Sequence, residues 1–346
     1  VLASDELYMQ RCLALARLGE GAVAPNPLVG AVLVSRGRII GEGWHRRWGG
    51  AHAEVNCFNS VAPEDEHLLP ESTLYCNLEP CSHHGKTPPC ADLVVEKRVK
   101  RLVVSNLDPN PLVAGAGIRR ISSAGISVET GVLETEGRWL NRTFFVWMEQ
   151  GRPFVVLKWA QSADGFLGKK GEKTAITSAP AQRLVHRWRV ECGTVLVGGR
   201  TALVDNPRLD ARHYFGKTPA RVALMGSGSL PDDCHLLDGS VETWLFGKKM
   251  PGSPPENLRF FSTESDCLLR DLLERCKENG KSCLFVEGGG ETLRRFIDQG
   301  LWDEIRLLES PVRLGGGVPA PTIPDDAILR EQASIGMDEL RIFVRP

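Results

Sequence analysis

Charge of one sign is the first thing this chain lacks: 42 Lys and Arg against 43 Asp and Glu leave a formal net charge of −1. Binding a polyanion by counterion release needs a concentrated basic surface, and no segment supplies one, which argues against a generic nucleic-acid binder but leaves room for a pocket holding one phosphate. Aromatic residues make up 7%, and no aromatic, basic track of the kind that stacks single strands is evident. No run reaches the roughly 18 apolar residues of a membrane helix. The start, Val1-Leu2-Ala3-Ser4-Asp5, has no basic and apolar leader pattern. Ten cysteines are scattered from Cys12 to Cys283 without the dense spacing of a secreted disulfide scaffold. Together these absences predict a soluble, cytoplasmic protein whose thiols are available as metal ligands.

What is present is enough chain for two cores. At 346 residues the sequence exceeds the size at which one core stops growing, and Gly151-Arg152-Pro153 breaks it, so domains over 1–150 and 151–346 are expected. In the first half, Ser4 caps a helix over 4–18 with Leu7, Leu15 and Leu18 on one face. Strands at 29–34, 39–44, 72–78 and 102–105 alternate with short helices opening near His52 and Cys90, and 132–149 reads as one long helix. The second half repeats the pattern, with strands at 155–159, 194–197, 221–224, 243–246 and 283–286. Both halves are therefore α/β.

His52-Ala53-Glu54, Pro80-Cys81 and Cys90 carry the chemistry. One imidazole and two thiols can hold a catalytic zinc while leaving its fourth position for water. Zinc brings the pKa of that water to about 7, and a neighbouring carboxylate can carry the proton to a leaving amine, which is the chemistry of a hydrolytic deaminase. His and Glu two residues apart do not stack on a helix, so His52 binds while Glu54 faces the water. Cys90 opens a helix, where the dipole favours the thiolate that zinc requires. The usual deaminase spacing is Pro-Cys-x-x-Cys, whereas eight residues separate these thiols, so on spacing alone a structural zinc or no metal remains an alternative. Cys76 is a rival ligand, but its place on an alternating strand puts it in the core.

In the second half, Glu287-Gly288-Gly289-Gly290 follows an apolar strand and opens a helix, so bare amides could cradle a phosphate; plain turns are the alternative. Gly315-Gly316-Gly317 is a second such loop. Neither has the Gly-x-Gly-x-x-Gly spacing of the Rossmann fold.

Pro25-Asn26-Pro27-Leu28-Val29-Gly30, His52-Ala53-Glu54 and Glu79-Pro80-Cys81-Ser82-His83-His84-Gly85-Lys86-Thr87-Pro88-Pro89-Cys90 resemble the deaminase half of the bifunctional riboflavin-biosynthesis deaminase/reductase family. The likeness continues through Asp108-Pro109-Asn110-Pro111 and Gly115-Ala116-Gly117. It implies a cytidine-deaminase-like domain with zinc on His52, Cys81 and Cys90 and Glu54 as the catalytic proton carrier. The implied substrate is a diaminopyrimidine bearing a ribose 5-phosphate, contacted by Asn26, His45, His83, Lys86, Asp108 and Asn110.

Pro153-Phe154-Val155-Val156-Leu157-Lys158, Ser162-Ala163-Asp164-Gly165, His186-Arg187-Trp188-Arg189 and Val197-Gly198-Gly199 resemble the reductase half. This implies a dihydrofolate-reductase-like domain that binds NADPH through Thr201, Asp205, Gly288 and Gly289 and reduces ribosyl to ribityl. Lys158, Arg189, Leu209, Arg212 and Glu287 are then expected to meet the substrate, Lys158 assisting protonation. Lys173-Thr174-Ala175, Asp205-Asn206-Pro207 and Met225 depart from the family pattern near the cofactor contacts, so a deaminase with a vestigial reductase domain is the second reading. A nucleic-acid deaminase and a non-catalytic, zinc-stabilised interaction module are the others. Family members assemble, and a homo-oligomer is compatible with the chain.

Overall fold

The computed structural model describes residues 3–82, 88–110, 114–263 and 268–346. It divides into two compact units, Val1–Gly151 and Arg152–Pro346.

The first unit runs α1 (Ala3–Arg17), β1 (Gly30–Ser35), β2 (Arg38–Trp44), α2 (Ala53–Phe58), β3 (Thr73–Leu78) and α3 (Cys90–Lys97). It continues with β4 (Arg101–Asn106), α4 (Ala116–Ser123), β5 (Ser127–Thr130), α5 (Glu134–Leu140) and α6 (Arg142–Gln150). Its sheet has the order β2-β1-β3-β4-β5; β1 is antiparallel to both neighbours, and β3, β4 and β5 are parallel. Every residue of β1 is buried because both faces of the sheet are covered. Ala31 and Leu33 pack into a core with Ala53, Cys57, Leu74, Cys76 and Leu102, while Val32 and Val34 pack with Met9, Cys12 and Leu15 of α1. A strand covered on both sides needs no polar alternation.

Two elements differ from the sequence expectation. In α1, Leu7 and Leu18 are each 61% exposed, and the buried stripe is Met9, Cys12, Leu13, Leu15 and Ala16. The buried Asp5 carboxylate accepts hydrogen bonds from Tyr75 at 2.8 Å and Arg101 at 2.9 Å, which sets the rotation of the helix and turns the two leucines outward. The expected single helix over 132–149 is two helices, parted at Asn141. That residue leaves helical geometry (φ −98°, ψ 18°) while its buried carboxamide accepts from the Leu28 N–H at 2.8 Å and donates to the Leu28 carbonyl at 2.9 Å.

The second unit comprises β6 (Phe154–Ser162), β7 (Phe166–Gly168), α7 (Ala179–Cys192), β8 (Thr194–Gly198), α8 (Gly199–Asp205), β9 (Ala220–Gly226) and β10 (Thr243–Gly247). Then follow β11 (Leu258–Ser262), α9 (Leu268–Glu278), β12 (Cys283–Val286), α10 (Gly290–Asp298), β13 (Glu304–Ser310), β14 (Val318–Pro319), β15 (Ile328–Ile335) and β16 (Asp338–Val344). The main sheet is ordered β11-β10-β9-β8-β12-β6-β13-β16-β15. From β11 to β13 all pairs are parallel, and β16 and β15 close the edge antiparallel. Leu157, Leu196, Val222, Trp244, Phe296 and Trp302 anchor its core. No helix among the described residues is long and apolar enough to cross a membrane.

Gly30 is where α1 meets the first sheet most closely. A Cβ there would fall 2.1 Å from the Cys12 carbonyl oxygen and 2.9 Å from the Ala16 nitrogen, both backbone atoms that cannot rotate away. Gly30→Ala is expected to destabilise the first unit by about 1–3 kcal/mol. Chemical denaturation reads this as a lower midpoint; an unchanged midpoint would contradict the close packing.

Candidate functional site

In the first unit, three chain segments deliver three metal-ligand atoms to one point. His52 is the extended residue that precedes α2, Cys81 follows the end of β3, and Cys90 is the first residue of α3. His52 Nδ1 lies 3.5 Å from Cys81 Sγ and 3.3 Å from Cys90 Sγ. Around a tetrahedral zinc, with bonds of about 2.3 Å to sulfur and 2.0–2.1 Å to nitrogen, an N···S edge measures about 3.6 Å. The donor set and its spacing therefore fit zinc, and it is the one such group of three among the described residues.

The electrostatics agree. Cys81 is drawn well below the ordinary thiol range, first by its hydrogen bond with Cys90 and also by His52, against the opposing effect of burial. The Cys90 N–H at the start of α3 also donates to Cys81 Sγ at 3.4 Å. Cys90 moves the other way, raised by its pairing with Cys81 and by burial. One thiol ionises at the expense of the other, and a cation between them removes that competition.

Glu54, in the first turn of α2, is only 4% exposed. Burial, followed by the charge of Cys81, raises its pKa. It lines a cavity of about 370 Å³ together with His52, Cys81, Asn26, His45, Asp108 and Asn110. His45 Nδ1 is 3.0 Å from the Ala51 carbonyl and therefore donates to it, which leaves Nε2 to accept from Asn26 Nδ2 at 3.2 Å. Burial lowers the His45 pKa, keeping the ring neutral and this tautomer in place. Asp108 accepts from the Asn110 N–H at 2.8 Å, which ties these two residues into one turn beyond β4. His83 and Lys86 lie outside the described residues.

Three buried side chains that sequence reasoning did not single out support this arrangement. Glu79 accepts from the N–H groups of Asp108 (3.2 Å), Gly115 (2.9 Å) and Ile118 (3.2 Å), so the end of β3 is bound to the loop that carries Asp108. Asn77 accepts from the Gly30 N–H at 2.7 Å and donates to the Leu28 carbonyl at 3.0 Å. With Asn141 it fixes the loop bearing Asn26. The usable signal was a charged or amide residue inside an apolar run, since such a residue is buried only with partners.

In the second unit, the carboxyl ends of the adjacent strands β9, β8 and β12 open onto a cavity of about 330 Å³. Thr201, Asp205 and Gly289 line it, with Lys169, Arg200 and Met225. The Gly289 N–H donates to Thr201 Oγ1 at 2.9 Å, and the Gly198 N–H to the Gly288 carbonyl at 2.9 Å. A Cβ on Gly198 would fall 2.3 Å from Thr292 Oγ1 and displace that hydroxyl, and Gly289 has φ 28°, a conformation that favours glycine. The N-terminus of α10 meets the cavity with bare amides, which suits a diphosphate. Asp205 is raised by burial, with Lys173 opposing.

The departures from the family pattern have local work. Thr174 Oγ1 accepts from the Lys169 N–H at 2.9 Å, and the Asn206 side chain accepts from the His235 N–H at 2.8 Å.

Arg189 and Glu287 form a buried, two-pronged ion pair, with NH2 to Oε2 at 2.8 Å, and Arg189 also donates to the Asp210 carbonyl at 2.8 Å. Burial pushes Glu287 upward, but the charge and hydrogen bonds of Arg189 outweigh it and the carboxyl lies below its usual range. Lys158, on β6, is lowered by burial and feels both Glu287 and Arg189. Leu209 is buried at φ 51°, while Arg212 is exposed and pairs with Asp210.

Residues 2–106 match the family described as the cytidine and deoxycytidylate deaminase zinc-binding region, and residues 153–340 match the RibD C-terminal domain. The riboflavin biosynthesis protein RibD of Bacillus amyloliquefaciens is 38% identical over 329 residues, covering 92% of this chain and 87% of that protein. RibD of Escherichia coli strain K12 is 34% identical, covering 90% and 89%. Among solved structures, a diaminohydroxyphosphoribosylaminopyrimidine deaminase/5-amino-6-(5-phosphoribosylamino)uracil reductase from Thermotoga maritima superposes with a TM-score of 0.89 at 32% identity, covering 99% of each chain. Acinetobacter baumannii RibD gives 0.88 at 31% identity with the same coverage.

His186, 5% exposed on α7, generates a pH dependence. Burial first, then Arg189, His213 and Arg212, lower its pKa to about 4, with Asp210 opposing. An imidazole that is neutral down to about pH 4 when folded but takes a proton near pH 6.5 when unfolded favours unfolding throughout that interval. Stability of the second unit is expected to fall by up to about 3 kcal/mol as pH drops from about 6.5 to 4. Urea denaturation across this range checks it; His186→Gln should flatten the slope, and an equal slope in both proteins would refute the assignment.

Proposed function

The chain belongs to the RibD family of riboflavin-biosynthesis proteins, and from that membership we propose how its residues divide two successive reactions. It is a zinc-dependent deaminase followed by an NADPH-dependent reductase, a cytidine-deaminase-like domain joined to a dihydrofolate-reductase-like one. The first reaction removes an amine from 2,5-diamino-6-(ribosylamino)-4(3H)-pyrimidinone 5'-phosphate, and the second reduces the ribosyl group to ribityl. The observation that carries the first step is the convergence of His52, Cys81 and Cys90 beside the buried Glu54.

Zinc, when bound, supplies water activated for attack at neutral pH. His52, Cys81 and Cys90 hold it. Glu54, buried beside the three donors, would act as a carboxylate that takes a proton from the water and delivers it to the departing amine. Asn26, held in place by the neutral His45, orients the ring, and Asp108 and Asn110 meet its substituents. His83 and Lys86 are assigned to the ribose phosphate by family resemblance. A net charge of −1 supports a small phosphorylated pyrimidine over a nucleic acid. Two ligating thiols suit a reducing cytoplasmic setting, where oxidation does not remove them.

NADPH, when bound, supplies the hydride of the second step. Thr201, Gly288 and Gly289 with the start of α10 would hold its diphosphate, and Asp205, which lines the same cavity, would bind it too. Glu287 keeps the Arg189 fork rigid, so that Arg189 and Arg212 fix the substrate's phosphate end and Leu209 closes beside it. Lys158, lowered by burial, holds the proton required as the opened sugar is reduced.

Glu54→Gln is expected to retain zinc while deamination slows about 10²–10⁴-fold. Metal content and ammonia release measure the two effects, and near-normal turnover would remove Glu54 from the role. NADPH oxidation by the unsubstituted chain is expected only when deaminated ribotide is supplied. No oxidation would leave the second domain vestigial.

A further inference from the structure

The helix α6 belongs to neither matched region, since the zinc-binding match ends at residue 106 and the reductase match begins at 153. It nevertheless brings Phe144, Trp147 and Met148 to the deaminase cavity that holds Glu54 and His52. Their spacing of three and four residues places all three on one face of the helix. The neighbouring Phe145 is buried under the Arg138 guanidinium, 4.4 Å from its ring centre, so the helix is anchored by a different face. Among the aromatic rings that line the cavity, His52 is a metal-ligand candidate and His45 is committed to Ala51 and Asn26. Among the described residues, Phe144 and Trp147 are the aromatic rings left to cover a flat heterocycle.

Asn141 shows that this wall is set in register with the rest of the site. Directly ahead of α6, it binds both the N–H and the carbonyl of Leu28, two residues beyond Asn26. The wall and the loop carrying Asn26 are thereby fixed to each other. The helix break at Asn141 lets one side chain make that clamp while the next turn presents its apolar face to the cavity.

We propose that the Phe144–Trp147–Met148 face of α6 is the stacking wall of the deaminase, packing against the flat face of the aminopyrimidine and excluding water from it. This rests on the deaminase reading above. The metal ligands and Glu54 supply the chemistry, and the wall supplies ground-state binding of the flat ring on which that chemistry acts. Stacking of a base on an aromatic side chain is sequence-tolerant and strong enough to dominate ground-state binding without altering the proton transfer.

The test uses full-length, zinc-loaded chain, with ammonia release measured against concentration of the diaminopyrimidine ribotide. Trp147→Ala and Phe144→Ala are each expected to raise KM about tenfold or more, with kcat changed by less than about threefold. Zinc content and NADPH oxidation with deaminated ribotide should stay unchanged, and Trp147→Phe should recover most of the affinity. Unchanged KM in both alanine variants, with the unsubstituted chain active, overturns the wall alone. Loss of zinc together with kcat that Trp147→Phe does not restore assigns α6 a structural role and also overturns it. No ammonia release from the unsubstituted chain overturns the deaminase reading, and this assignment with it.

Discussion

An imidazole nitrogen held 3.3 and 3.5 Å from two thiol sulfurs sets the terms for the first domain. Two sulfurs and an imidazole at such distances cannot all be deprotonated and unshielded; a cation makes the arrangement stable, and the fold must then keep it dry and rigid. The end of β3 and the starts of α2 and α3 are the structural answer. A strand end supplies a fixed backbone position, and a helix start supplies N–H groups and a favourable dipole for a thiolate. Glu54 lies in the same enclosure, buried in the first turn of α2, so the elements that gather the donors also place the proton carrier beside them.

The second domain solves a different problem with related means. Its cavity lies where parallel strands end and helices begin, and the glycines of Gly198 and Gly288–Gly290 let backbone amides reach what a side chain would block. Beside it, Arg189 and Glu287 neutralise each other in a buried pair, and Lys158 sits in their combined field. Such a pair contributes geometry more than stability, because both charges lose water to make it.

Between the ligands and the substrate contacts runs a layer of buried amides and one carboxylate. Glu79, Asn77 and Asn141 each bind backbone groups of a loop assigned to the substrate. Loops have few intrinsic constraints, so a site built on them depends on side chains that satisfy otherwise unpaired N–H and C=O groups. The placement of Asn26, Asp108 and the α6 face all trace to this layer.

Much of this was legible in residue order. His52-Ala53-Glu54, the two thiols, the alternating strands and helices, and the glycines after Val286 are local signals whose chemistry follows from residue type and spacing. Other features were not legible. The outward turn of Leu7 and Leu18 depends on Asp5 finding Arg101, a partner far along the chain. The helix break at Asn141 depends on Leu28, and periodicity cannot report a contact across 113 positions. The edge strand β15 is mostly exposed, so it has no apolar alternation to announce it. The sequence by itself determined the ligand types, the proton carrier and the α/β character of both halves, because these follow from local chemistry. Only the tertiary structure decided which donors meet, which carboxylates become buried and which helix face looks into the cavity, because burial and convergence are properties of long-range packing.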